Sequence, residues 1–208
     1  MSDPLRPVFT GVPSGGASAR AVIIGASAGG PKALEGVLRA LPADFPAPIA
    51  VCQHMLAGWT RGWAERLDGH CALHVCEARH RQPFEPGSIY IAPAGRHMRL
   101  QGAGRAVTIQ LTPDFADSLF VPSIDYLMSS AATTYGSRLL AVLLTGLMSD
   151  GAIGMLAVRR AGGHTIAQSE DTSAAASMPR AAMELGAAAE SVPLDRIAAA
   201  MIESVSRG

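Results

Sequence analysis

From Ala21 onward the chain alternates short, wholly apolar runs with longer segments in which apolar residues recur every three or four positions. This is the pattern of strands buried on both faces and joined by amphipathic helices around a parallel sheet. Ala21-Val22-Ile23-Ile24 is too short for a buried helix and is ended by Gly25-Ala26-Ser27-Ala28-Gly29-Gly30, so it predicts a strand. Pro31 suits the first turn of a helix, which Leu34, Val37, Leu38 and Leu41 extend to about Leu41 before Pro42 closes it. Residues 48–52 predict a second strand running into Gln53-His54, and residues 59–67 a helix.

The middle of the chain has a different character. Residues 74–78, 88–92, 97–101 and 107–111 are short and separated by glycines or prolines, and some of them are expected to pair antiparallel. The alternation resumes with a helix over 123–135, a fully apolar strand over 139–144, a turn at 145–151 and a helix over 152–161. Residues 165–167 and 190–192 supply late strands, and 197–205 close the chain as an amphipathic helix. The expected fold class is α/β: a doubly wound, mainly parallel sheet with helices on both faces and an antiparallel portion, in three αβα layers.

Residues 1–20, with Pro4, Pro7, Pro13 and a run of small residues, bury too little apolar surface to order themselves and read as a flexible tail. Residues 21–208 are left as one domain of ordinary size. With 17 basic and 17 acidic side chains there is no net charge to attract phosphate backbones or anionic lipid, so nucleic acid and membrane surfaces are poor candidate partners. Cys52, Cys71 and Cys76 are an odd number without a CxxC pair, which fits a reducing compartment. The N-terminus lacks a signal-peptide pattern and no apolar run spans a bilayer, so a cytoplasmic location is expected.

In an open α/β sheet, ligands gather beyond the carboxyl ends of the strands. Three segments qualify: Ser27 ends the first strand, His54 the second, and Asp150 follows the strongest apolar strand. Serine, imidazole and carboxylate are the parts of an activated hydroxyl nucleophile. Gly25-Ala26-Ser27-Ala28-Gly29 matches the G-x-S-x-G elbow, in which the N–H groups after the serine, at a helix N-terminus, can stabilise an oxyanion. It also approximates a phosphate-binding glycine loop. His97 is the main rival as base, although it begins a strand. Asp150 stands where an N-cap of the following helix is common, so capping and orienting roles are both open. Cys71, His74 and Cys76 fit no common zinc pattern, and no metal site is expected.

Ile24-Gly25-Ala26-Ser27-Ala28-Gly29-Gly30, Gln53-His54-Met55, Tyr90-Ile91-Ala92-Pro93, His97-Met98, Pro122-Ser123-Ile124-Asp125, Leu144-Thr145-Gly146, Asp150-Gly151-Ala152 and Met178-Pro179-Arg180 resemble, in order, the catalytic domain of chemotaxis protein-glutamate methylesterases, the CheB type. The resemblance implies a serine hydrolase that removes methyl esters from glutamyl residues on the cytoplasmic helices of chemoreceptors, with deamidation of certain glutamines as a related activity. It implies Ser27 as nucleophile, His54 as general base and Asp150 as orienting acid, with no metal or organic cofactor. It further implies an oxyanion donor at the Leu147 backbone, Ala28 and Met148 beside the oxyanion, and Val121, Pro122 and Ser123 bordering the substrate. Ala28 and Ser149 stand where the family often has Thr and Asn. Phe120-Val121 stands where it commonly has His-Arg, a change that bears on substrate choice. A 20-residue tail is too short for the receiver domain such proteins usually carry, which leaves open a stand-alone esterase or control by a separate response regulator. The rival readings are a nucleotide-binding module and a catalytically weak chemosensory interaction protein.

Overall fold

The computed structural model describes residues 21–104, 106–113 and 119–206; the tail expected over residues 1–20 lies outside them. In chain order the elements are β1 (Ala21–Ala26), α1 (Gly30–Arg39), β2 (Ile49–Gln53), α2 (Thr60–Asp68), β3 (His74–Glu77), β4 (Ser88–Ile91), β5 (His97–Gln101) and β6 (Thr108–Thr112). Then come α3 (Ile124–Tyr135), β7 (Leu139–Leu143), α4 (Ala152–Arg160), β8 (His164–Gln168), α5 (Ser177–Glu184), β9 (Glu190–Val192) and α6 (Leu194–Ser206). Among the described residues, no helix is long and apolar enough to cross a membrane.

Seven strands form one parallel sheet in the order β3-β4-β2-β1-β7-β8-β9. The antiparallel portion expected in the middle of the chain is narrower than the four segments that suggested it. Of those four segments, β5 and β6 form an antiparallel ribbon, whereas β3 and β4 join the main sheet in parallel. Short strands between glycines and prolines look alike in either setting; here residues 78–87 run out against the β6 region, with Arg81 N donating to Ile109 O and Phe84 N to Val107 O, before the chain returns to β4 in the direction of β3.

The central strands are buried on both faces, and their alternate residues serve two cores. Val22, Ile24 and Ala26 of β1, with Leu140 and Val142 of β7, pack against α1 and α6 residues such as Leu34, Leu38, Ile197 and Met201. Ala21 and Ile23, with Leu139, Ala141 and Leu143, pack against α3 and α4 residues such as Leu127, Met128 and Met155. That is the αβα layering the uninterrupted apolar runs predict. Strand order reverses between β1 and β7: the chain moves from β1 to β2 on one side and returns through α3 to β7 on the other. The loops after β1 and β7 therefore open side by side at a topological switch point, where crevices form in such sheets.

Candidate active site

Ser27 leaves the end of β1 with its backbone N–H donating to Thr145 O at 2.9 Å, and the following turn is closed by Gly30 N donating to Ser27 O at 2.9 Å. Glycines make this turn possible for steric reasons. A Cβ on Gly30 would sit 1.9 Å from Gln53 Oε1, and one on Gly25 would sit 2.4 Å from Ile124 Cγ2. Protein side chains thus fill the space above Gly25 and Gly30 that a nucleotide-binding loop would leave for phosphate. Gln53, at the end of β2 and 1% exposed, donates through Nε2 to both Ser27 O and His54 O at 2.9 Å. The two strand ends are thereby pinned together by one amide.

The imidazole of His54 bridges the site. Its Nδ1 is 3.2 Å from Ser27 Oγ and its Nε2 is 2.9 Å from Asp150 Oδ2. The His54 side chain is 14% exposed and that of Asp150 only 3%. The hydroxyl end of the chain of hydrogen bonds faces solvent and the carboxylate end is dry. Asp150 also accepts from Ile124 N at 2.7 Å, Asp125 N at 3.0 Å and Ser123 Oγ at 3.1 Å. Burial alone would push its carboxyl up, but the bonds from His54, Asp125 and Ile124 outweigh that and hold it below the ordinary carboxylate range. A charged acceptor aimed at Nε2 fixes the tautomer with the proton there, leaving the Nδ1 lone pair toward the hydroxyl.

The capping role considered for Asp150 is realised at a different helix from the one its sequence position suggests. Helix α4 has Gly151 as its N-cap and no side-chain cap from Asp150. Asp150 instead meets the first N–H groups of α3, and Asp125 of α3 accepts from Gly151 N at 2.9 Å and Gly154 N at 2.6 Å at the start of α4. Burial, together with the neighbouring Asp150 charge and against the help of those N–H groups, pushes Asp125 up to about 6.

His97, the rival base, is 1% exposed and accepts from Ser123 N through Nδ1 at 3.3 Å, so it buttresses the segment that supports Asp150. His74 pairs with Asp68 at 2.9 Å on the far edge of the sheet. Leu147 and Met148 stand 56% and 55% exposed beside the site, with Met148 at φ 64°. Gly146, the residue before Leu147, approaches Ser27 so closely that an added Cβ would lie 2.8 Å from Ser27 Cβ. A groove of about 510 Å³ runs from Ser27 and His54 past Met55, Leu56 and Trp59.

The CheB methylesterase family model matches residues 22–201, from the first strand to the last helix. The chain belongs to the CheB methylesterase family. Its structure superposes on the crystal structure of the Thermotoga maritima CheB methylesterase catalytic domain with a TM-score of 0.86 at 37% identity, covering 90% of this chain and 99% of that one. It is 45% identical over 184 residues to protein-glutamate methylesterase/protein-glutamine glutaminase 2 of Nitratidesulfovibrio vulgaris, covering 88% of this chain and 50% of that protein. It is 47% identical over 184 residues to protein-glutamate methylesterase FrzG of Myxococcus xanthus, covering 88% of this chain and 54% of that protein. The chain spans about half the length of these curated relatives.

Within this CheB methylesterase domain, three supporting residues escape a reading of the sequence by site types. Gln53 was visible only as the neighbour of His54, and Asp125 only as the last residue of Pro122-Ser123-Ile124-Asp125. Thr145 ties the loops around the serine: Oγ1 donates to Ala28 O at 2.9 Å and accepts from Ala175 N at 2.9 Å, while its N–H donates to Gln168 Oε1 at 2.9 Å.

Proposed function

We propose that this chain hydrolyses glutamyl methyl esters on the cytoplasmic helices of chemoreceptors, and deamidates glutamines there, through an acyl-enzyme on Ser27. The observation that carries this reading is the continuous hydrogen-bond chain from Ser27 through His54 to Asp150 in a domain of this family. The names of its relatives supply the substrate class. The exposed apolar side chains beside the serine, Leu56, Trp59, Leu147 and Met148, suit contact with a protein surface.

As Ser27 Oγ attacks the ester carbonyl, its proton passes to His54 Nδ1, and the Asp150 carboxylate stabilises the imidazolium. The backbone N–H of Leu147, with Ala28 and Met148 flanking it, is assigned to the oxyanion. The tetrahedral adduct breaks its bond to the methoxy oxygen, which takes the proton from His54 and leaves as methanol. Water then gives a proton to His54 and its oxygen to the acyl carbon. The glutamate leaves and Ser27 recovers its proton; for a glutamine substrate, ammonia departs in place of methanol. Val121, Pro122 and Ser123 border the position of the substrate chain.

A fluorophosphonate probe combined with mass spectrometry of methylated receptor peptides tests this. Labelling and a loss of about 14 Da per esterified site, the mass of one CH₂ released through the acyl-enzyme route, are both expected to vanish in Ser27→Ala. Peptide demethylation by Ser27→Ala at the parent rate would refute the assignment.

A further inference from the structure

Phe120 lies face to face with the His54 imidazole, with ring centroids 4.7 Å apart and planes inclined by 4°. The short segment that carries it is anchored just beyond the ring: Gly95 N donates to Val121 O at 3.4 Å, and Ser123 is bonded to both His97 and Asp150. One face of the imidazole is therefore covered by an aromatic face, while Nδ1 and Nε2 reach Ser27 and Asp150 at its edge. Turning the imidazole out of line with either partner would break the flat contact.

The contact also has a sign. The face of a phenyl ring carries the negative part of its quadrupole and attracts a cation placed over it. A neutral imidazole gains little from this, whereas an imidazolium gains much more. Interactions present only in the charged state accelerate a step in which that charge develops. We propose that Phe120 is a positioning residue, keeping the His54 ring in line between Ser27 and Asp150 and favouring its protonated form through the aromatic face. This rests on the reading of Ser27, His54 and Asp150 as the catalytic groups.

Leucine at this position would still cover the imidazole and exclude water but has no quadrupole, so Phe120→Leu separates electrostatics from packing. With a methylated receptor peptide as substrate, Phe120→Leu is expected to lower kcat by roughly 3- to 30-fold with KM unchanged, the range of one cation–π contact. Phe120→Tyr and Phe120→Trp are expected to retain kcat. Replacing Phe120 with phenylalanines carrying successively more ring fluorines keeps the shape while weakening the quadrupole, and kcat should fall along that series. The series also decides the matter if Phe120→Leu fails to fold. Parent-level kcat in Phe120→Leu, or no trend along the fluorinated series, would overturn the proposal. In the same assay, hydrolysis that survives Ser27→Ala would remove the acyl-enzyme reading itself. Ser27-dependent hydrolysis indifferent to the ring at 120 would remove only the role of Phe120.

Discussion

Asp150 and Asp125 each receive the first N–H groups of the other's helix: Asp150 accepts from Ile124 N and Asp125 N at the start of α3, and Asp125 from Gly151 N and Gly154 N at the start of α4. Two positive helix ends thus converge on a pair of carboxylates. One of them, held low and ionised, faces His54; the other, buried and pushed up, joins the helices. The reciprocal arrangement fixes the position of Asp150 independently of its bond to His54.

Asp150→Asn would place an NH₂ group among the Ile124, Asp125 and Ser123 donors or turn it toward His54 Nε2. Either orientation conflicts with donors already present. Ester hydrolysis should fall by about 10⁴-fold, as expected when the base is held in the wrong tautomer, and the unmatched donors should cost about 1–3 kcal/mol of stability. Steady-state kinetics and urea unfolding measure the two effects.

Asp125→Asn keeps an oxygen for Gly151 N and Gly154 N but removes the titration. For a carboxyl raised from 3.8 to about 6, the protonated native form is favoured below pH 4, and that advantage is lost as pH rises through 6. Relative to the parent, Asp125→Asn should therefore gain stability as pH is raised from 4 to 7. Chemical unfolding across that range checks it; a constant difference would mean an ordinary carboxyl.

Gly30→Ala should displace Gln53, because the new Cβ would lie 1.9 Å from Gln53 Oε1 while Gln53 Nε2 is holding the Ser27 and His54 carbonyls. The expected cost is about 1–3 kcal/mol of stability, with activity reduced more than global stability would explain. Combining it with Gln53→Ala should produce less than the sum of the separate effects, as residues sharing one interaction do.

Thr145→Val preserves shape and leaves Ala175 N and Ala28 O without their partner in a buried place. A loss of about 1–3 kcal/mol follows, lowering Tm by several degrees in a domain of this size. Calorimetry should show it.

Leu147→Ala should keep most of the activity, since the proposed oxyanion donor is backbone. Leu147→Pro deletes that N–H and should cost about 10²- to 10³-fold in kcat. Similar rates for the two variants would move the oxyanion donor elsewhere.

The order and type of most elements were legible because β1, β7 and β2 as far as Cys52 are apolar throughout, and only strands covered on both faces tolerate that. Ser27, His54 and Asp150 were legible as strand-end residues of the right chemical types. Helix α5 was not, because Ser177–Glu184 begins with Ser-Met-Pro and offers only Met178, Pro179 and Ala182 to the core, too faint a period to register.

Local pattern and residue chemistry, which need only neighbours in the chain, determined the parallel sheet, its layers and the three candidate groups. Tertiary structure alone decided that β1 lies between β2 and β7, that Asp150 caps α3 rather than α4, that Gln53 ties the end of β1 to the end of β2, and that Phe120 stacks on His54. Those relations join residues 26 to 118 positions apart, or set one ring on another from separate loops. Strand order and packing bring such residues together, and no periodicity along the chain encodes it.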